Sequence, residues 1–186
     1  MEPPDTRYVR VGDADVAYQV VGTGPSDLMF CYGLGSNVER WWEVAESADF
    51  LTRLSSRNRL IFFDRRGTGA SDGVPNNAVP TWEEWAEDID AVLQAAESDR
   101  CTILGTLDAG PIAMLFTAMH PDRVNSLVLH NTSARYEIDD DYSIGAPPEA
   151  IDAFVQFVGD TWGTLDYARM NNPGLSDETL KRYCKL

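Results

Sequence analysis

The chain has 186 residues, 44% of them hydrophobic, and a formal net charge of −15, which suits one domain with a sizeable core. So acidic a balance repels phosphate backbones and anionic lipid, and so argues against nucleic acid or a membrane surface as a partner. The cysteines Cys31, Cys101 and Cys184 are few, odd in number and widely spaced, which excludes a disulfide framework or a metal cluster and fits a reducing cytoplasm. In chain order, RYVRVG, a turn at Asp13-Ala14 and VAYQVVG predict a hairpin. DLMFCYG (27–33) is a continuous apolar run closed by glycine, the pattern of a strand buried on both faces, and RLIFFD (59–64), CTILG (101–105) and SLVLHN (126–131) repeat it. Between them WWEVAESADFLTRL (41–54) predicts a helix turning Trp42, Ala45, Phe50 and Leu54 to a sheet. In TWEEWAEDIDAVLQAAE (81–97), Thr81 and Glu84 form a capping box. Trp82, Trp85, Ile89, Val92, Leu93 and Ala96 trace one face. Pro111 to Met119 is apolar almost all round, which predicts a central buried helix.

Strands alternating with helices predict an α/β fold, a mostly parallel sheet with helices on both faces and an N-terminal hairpin. This core is expected over residues 1–133, and residues 134–186 are expected to form a helical lid. In that tail EAIDAFVQFVGDTWG carries Ile151, Phe154, Val155, Val158 and Trp162 at helical spacing. A last helix is predicted from Ser176, with Asp177 and Glu178 in its first turn and Lys181, Arg182 and Lys185 near its end, the charge order a helix dipole favours. The acidic runs EEWAEDID (83–90) and EIDDDY (137–142) read as solvated faces. No apolar run reaches bilayer length, and the opening MEPPDTRYVR lacks the apolar segment of a secretory leader.

Two glycine-bearing turns follow buried strands. In Asp64-Arg-Arg-Gly-Thr-Gly-Ala-Ser-Asp72 the glycines permit a tight crossing, and Asp64 with the arginines is expected to tie the loop down. No Lys-Ser/Thr follows, so a phosphate loop is disfavoured. In YGLGSN (32–37) small residues either make an ordinary connection or let backbone N–H groups approach an anion.

Together these segments resemble the α/β-hydrolase family over most of the chain. YGLG stands where that family has its oxyanion loop, and Asp64–Asp72 matches its D-x-R-G-x-G-x-S-D turn throughout. Gly105-Thr-Leu-Asp-Ala-Gly110 stands at its G-x-S-x-G-G nucleophile elbow, and HPDRVNSLVL (120–129) leads into its sixth strand. Gly-Pro-Ile-Ala after the elbow and Trp-Gly-Thr in the tail look most like hydrolase-type domains joined to bacterial nucleotide cyclases.

The resemblance implies that Leu107 takes the nucleophile's place, and an isobutyl group has no lone pair to attack with. It also implies an oxyanion hole from the backbone N–H groups of Leu34 and Asp108. An alternative register puts Asp108 on the crest, since Thr106-Leu-Asp-Ala-Gly110 also reads small-x-nucleophile-x-small; dehalogenases and epoxide hydrolases of this fold use aspartate so. The only histidines are His120, suited to a helix end, and His130, near the end of the sixth strand. No carboxylate follows in Asn131-Thr132-Ser133, and the tail shows no strand signal for a seventh or eighth strand, so nucleophile, acid and base are all expected to be wanting. Ser36, Ser71 and Ser133 read as loop hydrogen-bonders. Gly33, Trp41, Trp42 and His130 are candidates to line a pocket, although aromatics at helical spacing are more often core.

Three readings follow. One is a catalytically silent hydrolase-type domain that holds a small apolar or acyl-like ligand, with no cofactor and no metal. Another is a hydrolase, either Asp108-dependent or completed by a further C-terminal portion. The third is an incomplete product whose exposed sixth strand invites self-association.

Overall fold

Apolar runs become strands here because β-branched and aromatic side chains fit a pleated surface that helices cover on both sides. The computed structural model describes residues 3–184. Its strands are β1 (Arg7–Val11), β2 (Ala14–Val21), β3 (Asp27–Cys31), β4 (Arg59–Phe63), β5 (Cys101–Thr106) and β6 (Val124–His130). They form one sheet in the order β1-β2-β4-β3-β5-β6, antiparallel at β1–β2 and β2–β4 and parallel elsewhere. The mostly parallel α/β sheet with its N-terminal hairpin is therefore the architecture expected from the sequence. The hairpin turn falls at Gly12-Asp13 rather than Asp13-Ala14, because Ala14 already pairs with Val11 and Gly12 supplies the positive φ of 59°.

Side chains alternate across this sheet. Met29, Cys31, Ile61, Phe63 and Ile103 face the cluster made with α2 (Trp82–Ala95) and α3 (Gly110–Met119). Phe30 and Phe62 face the other way and meet Trp41 edge-on, at 5.6 and 5.4 Å between ring centroids. Burying a side chain such as Phe30 or Leu93 is worth about 1.5–3 kcal/mol each, so both layers stabilise the sheet. The capping box of α2 is present: the Glu84 N–H donates to the Thr81 hydroxyl, and the Thr81 N–H donates to the Glu84 carboxylate at 2.7 Å.

Three packing expectations are corrected. A short 3-10 turn at Arg40–Glu43 precedes α1 (Ala45–Ser55) and resets its helical phase. The buried positions are therefore Trp41, Val44, Ser47, Leu51 and Ser55, while Ala45 and Phe50 are exposed. Trp82 opens α2 but stays 46% exposed, and Ala86 and Asp88 join the buried face. β6 is buried on neither face along most of its length, with Val128 and Leu129 48% and 45% exposed. Among the described residues it has β5 as its only strand neighbour, so half the cover of an interior strand is missing.

The chain divides into two compact units, Met1–Thr132 and Ser133–Leu186. The second contains α4 (Pro148–Thr161), α5 (Leu165–Asn171) and α6 (Asp177–Tyr183). Ser176 caps α6 by accepting from the Thr179 N–H, and Arg169 reaches across to Asp177 at 2.7 Å. Lys185 lies outside the described residues. Phe154 and Val155 in α4 are exposed, as is Trp162 at its C-cap. Part of the acidic run is paired within its own loop, where Arg135 meets Asp139 and Asp141. Among the described residues no helix is long and apolar enough to cross a membrane.

Candidate active site

The loops after β3, β4 and β5 meet at the carboxyl ends of the strands, where the connections from the neighbouring strands β3 and β5 run in opposite directions, to β4 and to β6. That is the place where open α/β sheets present their ligand crevice. From β5, Thr106 is extended (φ −126°, ψ 152°), Leu107 turns sharply with φ 50°, and a single 3-10 turn over Leu107–Ala109 delivers the chain into α3. An L-residue held in the left-handed region costs about 1–2 kcal/mol, so something must fix it. Thr132 does so in part, its hydroxyl donating to the Leu107 carbonyl at 2.5 Å. The crest residue of the turn is thus Leu107, half-buried, and Asp108 lies one step past the crest.

Asp108 turns its side chain back toward the β3 loop. Its Oδ1 accepts from the Leu34 N–H at 2.9 Å, and its Oδ2 accepts from Arg65 Nη2 at 2.7 Å. Gly33 is what makes this seat available, because a Cβ there would stand 1.6 Å from Asp108 Oδ1. The Arg65 guanidinium also lies 4.6 Å from the centroid of the Trp85 ring, a cation–π contact that strengthens when desolvated. Arg65 is nine-tenths buried, and its Nε has no hydrogen-bond partner among the described residues.

The β4 loop is anchored differently from the sequence expectation. Asp64 is fully buried and bonds neither arginine. It accepts instead from the Ser36 hydroxyl at 2.5 Å, the Val38 N–H at 3.0 Å and the Ala70 N–H at 2.8 Å. Burial pushes its carboxyl above the ordinary value, and the donors from Ala70, Ser36 and Val38 pull it part of the way back. Gly69, at φ 56°, passes so close that a Cβ would lie 2.1 Å from Asp64 Oδ2. Arg66 pairs with buried Asp88 at 2.8 Å; burial raises the Asp88 carboxyl and Arg66 opposes that rise.

The remaining candidates scatter. Trp41 is buried among Phe30, Tyr32 and Phe62, and Trp42 donates its Nε1–H to Gln19 at 2.8 Å, so both belong to packing. His130 is exposed and stands in register with Thr106, next to the elbow. His120 ends α3, its ring 4.8 Å from Phe116 and its Nε2 3.5 Å from Glu87. Ser36 and Ser71 are loop hydrogen-bonders, the latter donating to the Asp64 carbonyl. Cys101 is buried and its thiol is pushed up to about 12, and burial raises Cys31 further, so neither supplies a thiolate. Among the described residues no group of His, Cys, Asp or Glu is placed to hold a metal.

The profile described as alpha/beta hydrolase fold matches residues 28–182. The chain belongs to the α/β hydrolase fold family. Within that family it is 32% identical over 130 residues to a carbamate-hydrolase-type protein (RutD) of Azorhizobium caulinodans, covering 69% of this chain and 45% of that one. It is 24% identical over 143 residues to a karrikin insensitive 2 receptor of Petunia hybrida, covering 76% and 50%. Among solved structures, E-2-(acetamidomethylene)succinate hydrolase superposes with a TM-score of 0.71 at 22% identity, over 98% of this chain and 63% of that one, a likeness of fold. The chain spans about half the length of these two sequence relatives.

Arg65 and Thr132 are the site residues that sequence reasoning missed. The basic pair after β4 signalled a tie, but its partner lies 43 residues away in the elbow. Thr132 carries no signal beyond its place after β6.

Proposed function

We propose that this chain is a catalytically silent α/β-hydrolase-fold domain with a ligand-binding or regulatory role. The observation that carries the reading is the leucine at the crest of the elbow. A hydrocarbon there offers no lone pair, and loss of a catalytic serine costs on the order of 10⁶ in turnover in subtilisin. A second feature supports it: the Leu34 N–H, which would stabilise an oxyanion, is engaged by the Asp108 carboxylate. Asp108 is also a poor nucleophile, since the Arg65 guanidinium and the Leu34 N–H stabilise the charge of its carboxylate where it lies. A relative named as a receptor supports binding rather than turnover as a use of this fold. The Gly110-Pro-Ile-Ala113 and Trp162-Gly-Thr164 segments support affiliation with cyclase-linked domains of this type.

A screen of acyl esters against purified protein tests the reading. No turnover above the buffer rate is expected, for the wild type or for Leu107→Ala. Turnover that Asp108→Asn abolishes and Leu107→Ala spares would replace it with an aspartate-dependent hydrolase, as would a mass increase trapped on the Asp108 peptide.

A further inference from the structure

The Leu34 N–H and the Arg65 guanidinium converge on one point from two loops, and both are donors. Two donors aimed together, one cationic and largely desolvated, make a receptor for a carboxylate. Asp108 fills that receptor from within. It does so incompletely: the side-on edge of a guanidinium presents Nε–H and Nη2–H together, and Asp108 engages Nη2 while Nε stays buried without a partner. The filled receptor still shows the outside an acceptor, because the Asp108 side chain is 30% exposed and each carboxylate oxygen has further lone-pair capacity. Beside it stands the apolar side chain of Leu107.

We propose that Asp108 sets the ligand polarity of this site. By occupying the Leu34–Arg65 cradle it turns away carboxylates and acyl oxygens, and it selects instead a neutral ligand with an apolar body and a hydroxyl-type donor. Removing Asp108 inverts the preference toward carboxylates, which then take Arg65 side-on. This rests on the silent-site reading for its setting and names the ligand class of the same site.

Benzyl alcohol and benzoate test it, since they share a ring and differ in the head group. Each is titrated at matched ionic strength into ¹⁵N-labelled wild type, Asp108→Ala and Asp108→Ala/Arg65→Met, following the Leu34 amide resonance. In the wild type, benzyl alcohol shifts that resonance saturably and benzoate leaves it in place. In Asp108→Ala, benzoate shifts it saturably, with a Kd about tenfold or more below the highest concentration that leaves the wild type unshifted, the worth of a hydrogen bond to a charged group; the Arg65→Met addition removes the gain. If Asp108→Ala fails to fold alone, recovery of a cooperative melt with benzoate but not chloride is the same positive result. Recovery with neither salt overturns the proposal. So does a wild-type response to benzoate equal to the variant's, or no wild-type response to benzyl alcohol. Ester turnover would defeat the silent reading and leave this titration standing. Failure of the titration would leave the inactive crest untouched.

Discussion

Replacing Gly33 by alanine sends a methyl group into the seat of the Asp108 carboxylate. The new carbon would stand 1.6 Å from Oδ1, 2.5 Å from Cγ and 3.1 Å from Oδ2, so the carboxylate must leave. Gly33 is not among the residues with positive φ, and backbone strain therefore does not confuse the result. Leaving breaks the bond from the Leu34 N–H, and hydrogen bonds to charged groups are worth about 1.5–3 kcal/mol. It also breaks the Arg65 pair, whose side chains are 10% and 30% exposed. That places the pair between an exposed one, worth about 0–1 kcal/mol, and a buried one, whose rupture costs about 3–5. The sum is about 3 kcal/mol for Gly33→Ala, and a similar loss for Asp108→Ala, which removes the same contacts from the other side. In the double variant the methyl group enters space already cleared, so its extra cost falls close to zero. Urea denaturation of the four proteins reads this as a coupling of about 3 kcal/mol. Additive losses, within about 0.5 kcal/mol, would refute the seat that Gly33 is argued to provide.

Other expectations concern pH and the sheet edge. Asp27, whose carboxyl the Arg59 bond holds below its ordinary 3.8, stabilises the fold above that value and loses the contribution as pH falls through the folded-state value. The stability gap between wild type and Asp27→Asn therefore closes on acidification in equilibrium unfolding; a gap constant with pH would contradict the pairing. Asp64 has the opposite sign. Its carboxyl is raised by burial, so the folded protein takes up the proton first, and the favourable contribution present below 3.8 is lost as pH rises through the folded-state value. Wild type should gain on Asp64→Asn as pH drops from neutral toward 4, and an unchanged difference would mean that the three donors outweigh burial. Lysine at Val128, on the exposed strand β6, is expected to lower any concentration-dependent association in sedimentation velocity; association that persists unchanged would point to another surface.

How much of this was legible beforehand depended on how local each determinant is. Strands such as 27–31 and 59–63 announced themselves because burial on both faces leaves a continuous apolar run. The capping box of α2 was readable because both partners lie within four residues. The face of α1 was misplaced because the 3-10 turn at Arg40–Glu43 breaks the angular phase. An exposed edge on the sixth strand was among the expectations, but the exposure of its faces could not be read, since cover is given by neighbours and not by the strand itself. The spacing of small residues left two registers for the crest, and only the resemblance to a G-x-S-x-G-G elbow favoured Leu107, whereas the turn of Asp108 toward Arg65 depended on two loops being brought side by side. Gly33 was noted for its smallness, but the group that needs the space belongs to this chain.

The Arg65 guanidinium touches a helix through Trp85 and the elbow through Asp108, which in turn holds the β3 loop at Leu34. Asp64, its neighbour in the chain, clasps the same β3 loop at Ser36 and Val38. These segments cannot loosen one at a time. Amide hydrogen exchange should find Leu34, Val38 and Ala70 released in one cooperative opening, with a shared free energy and a common response to denaturant.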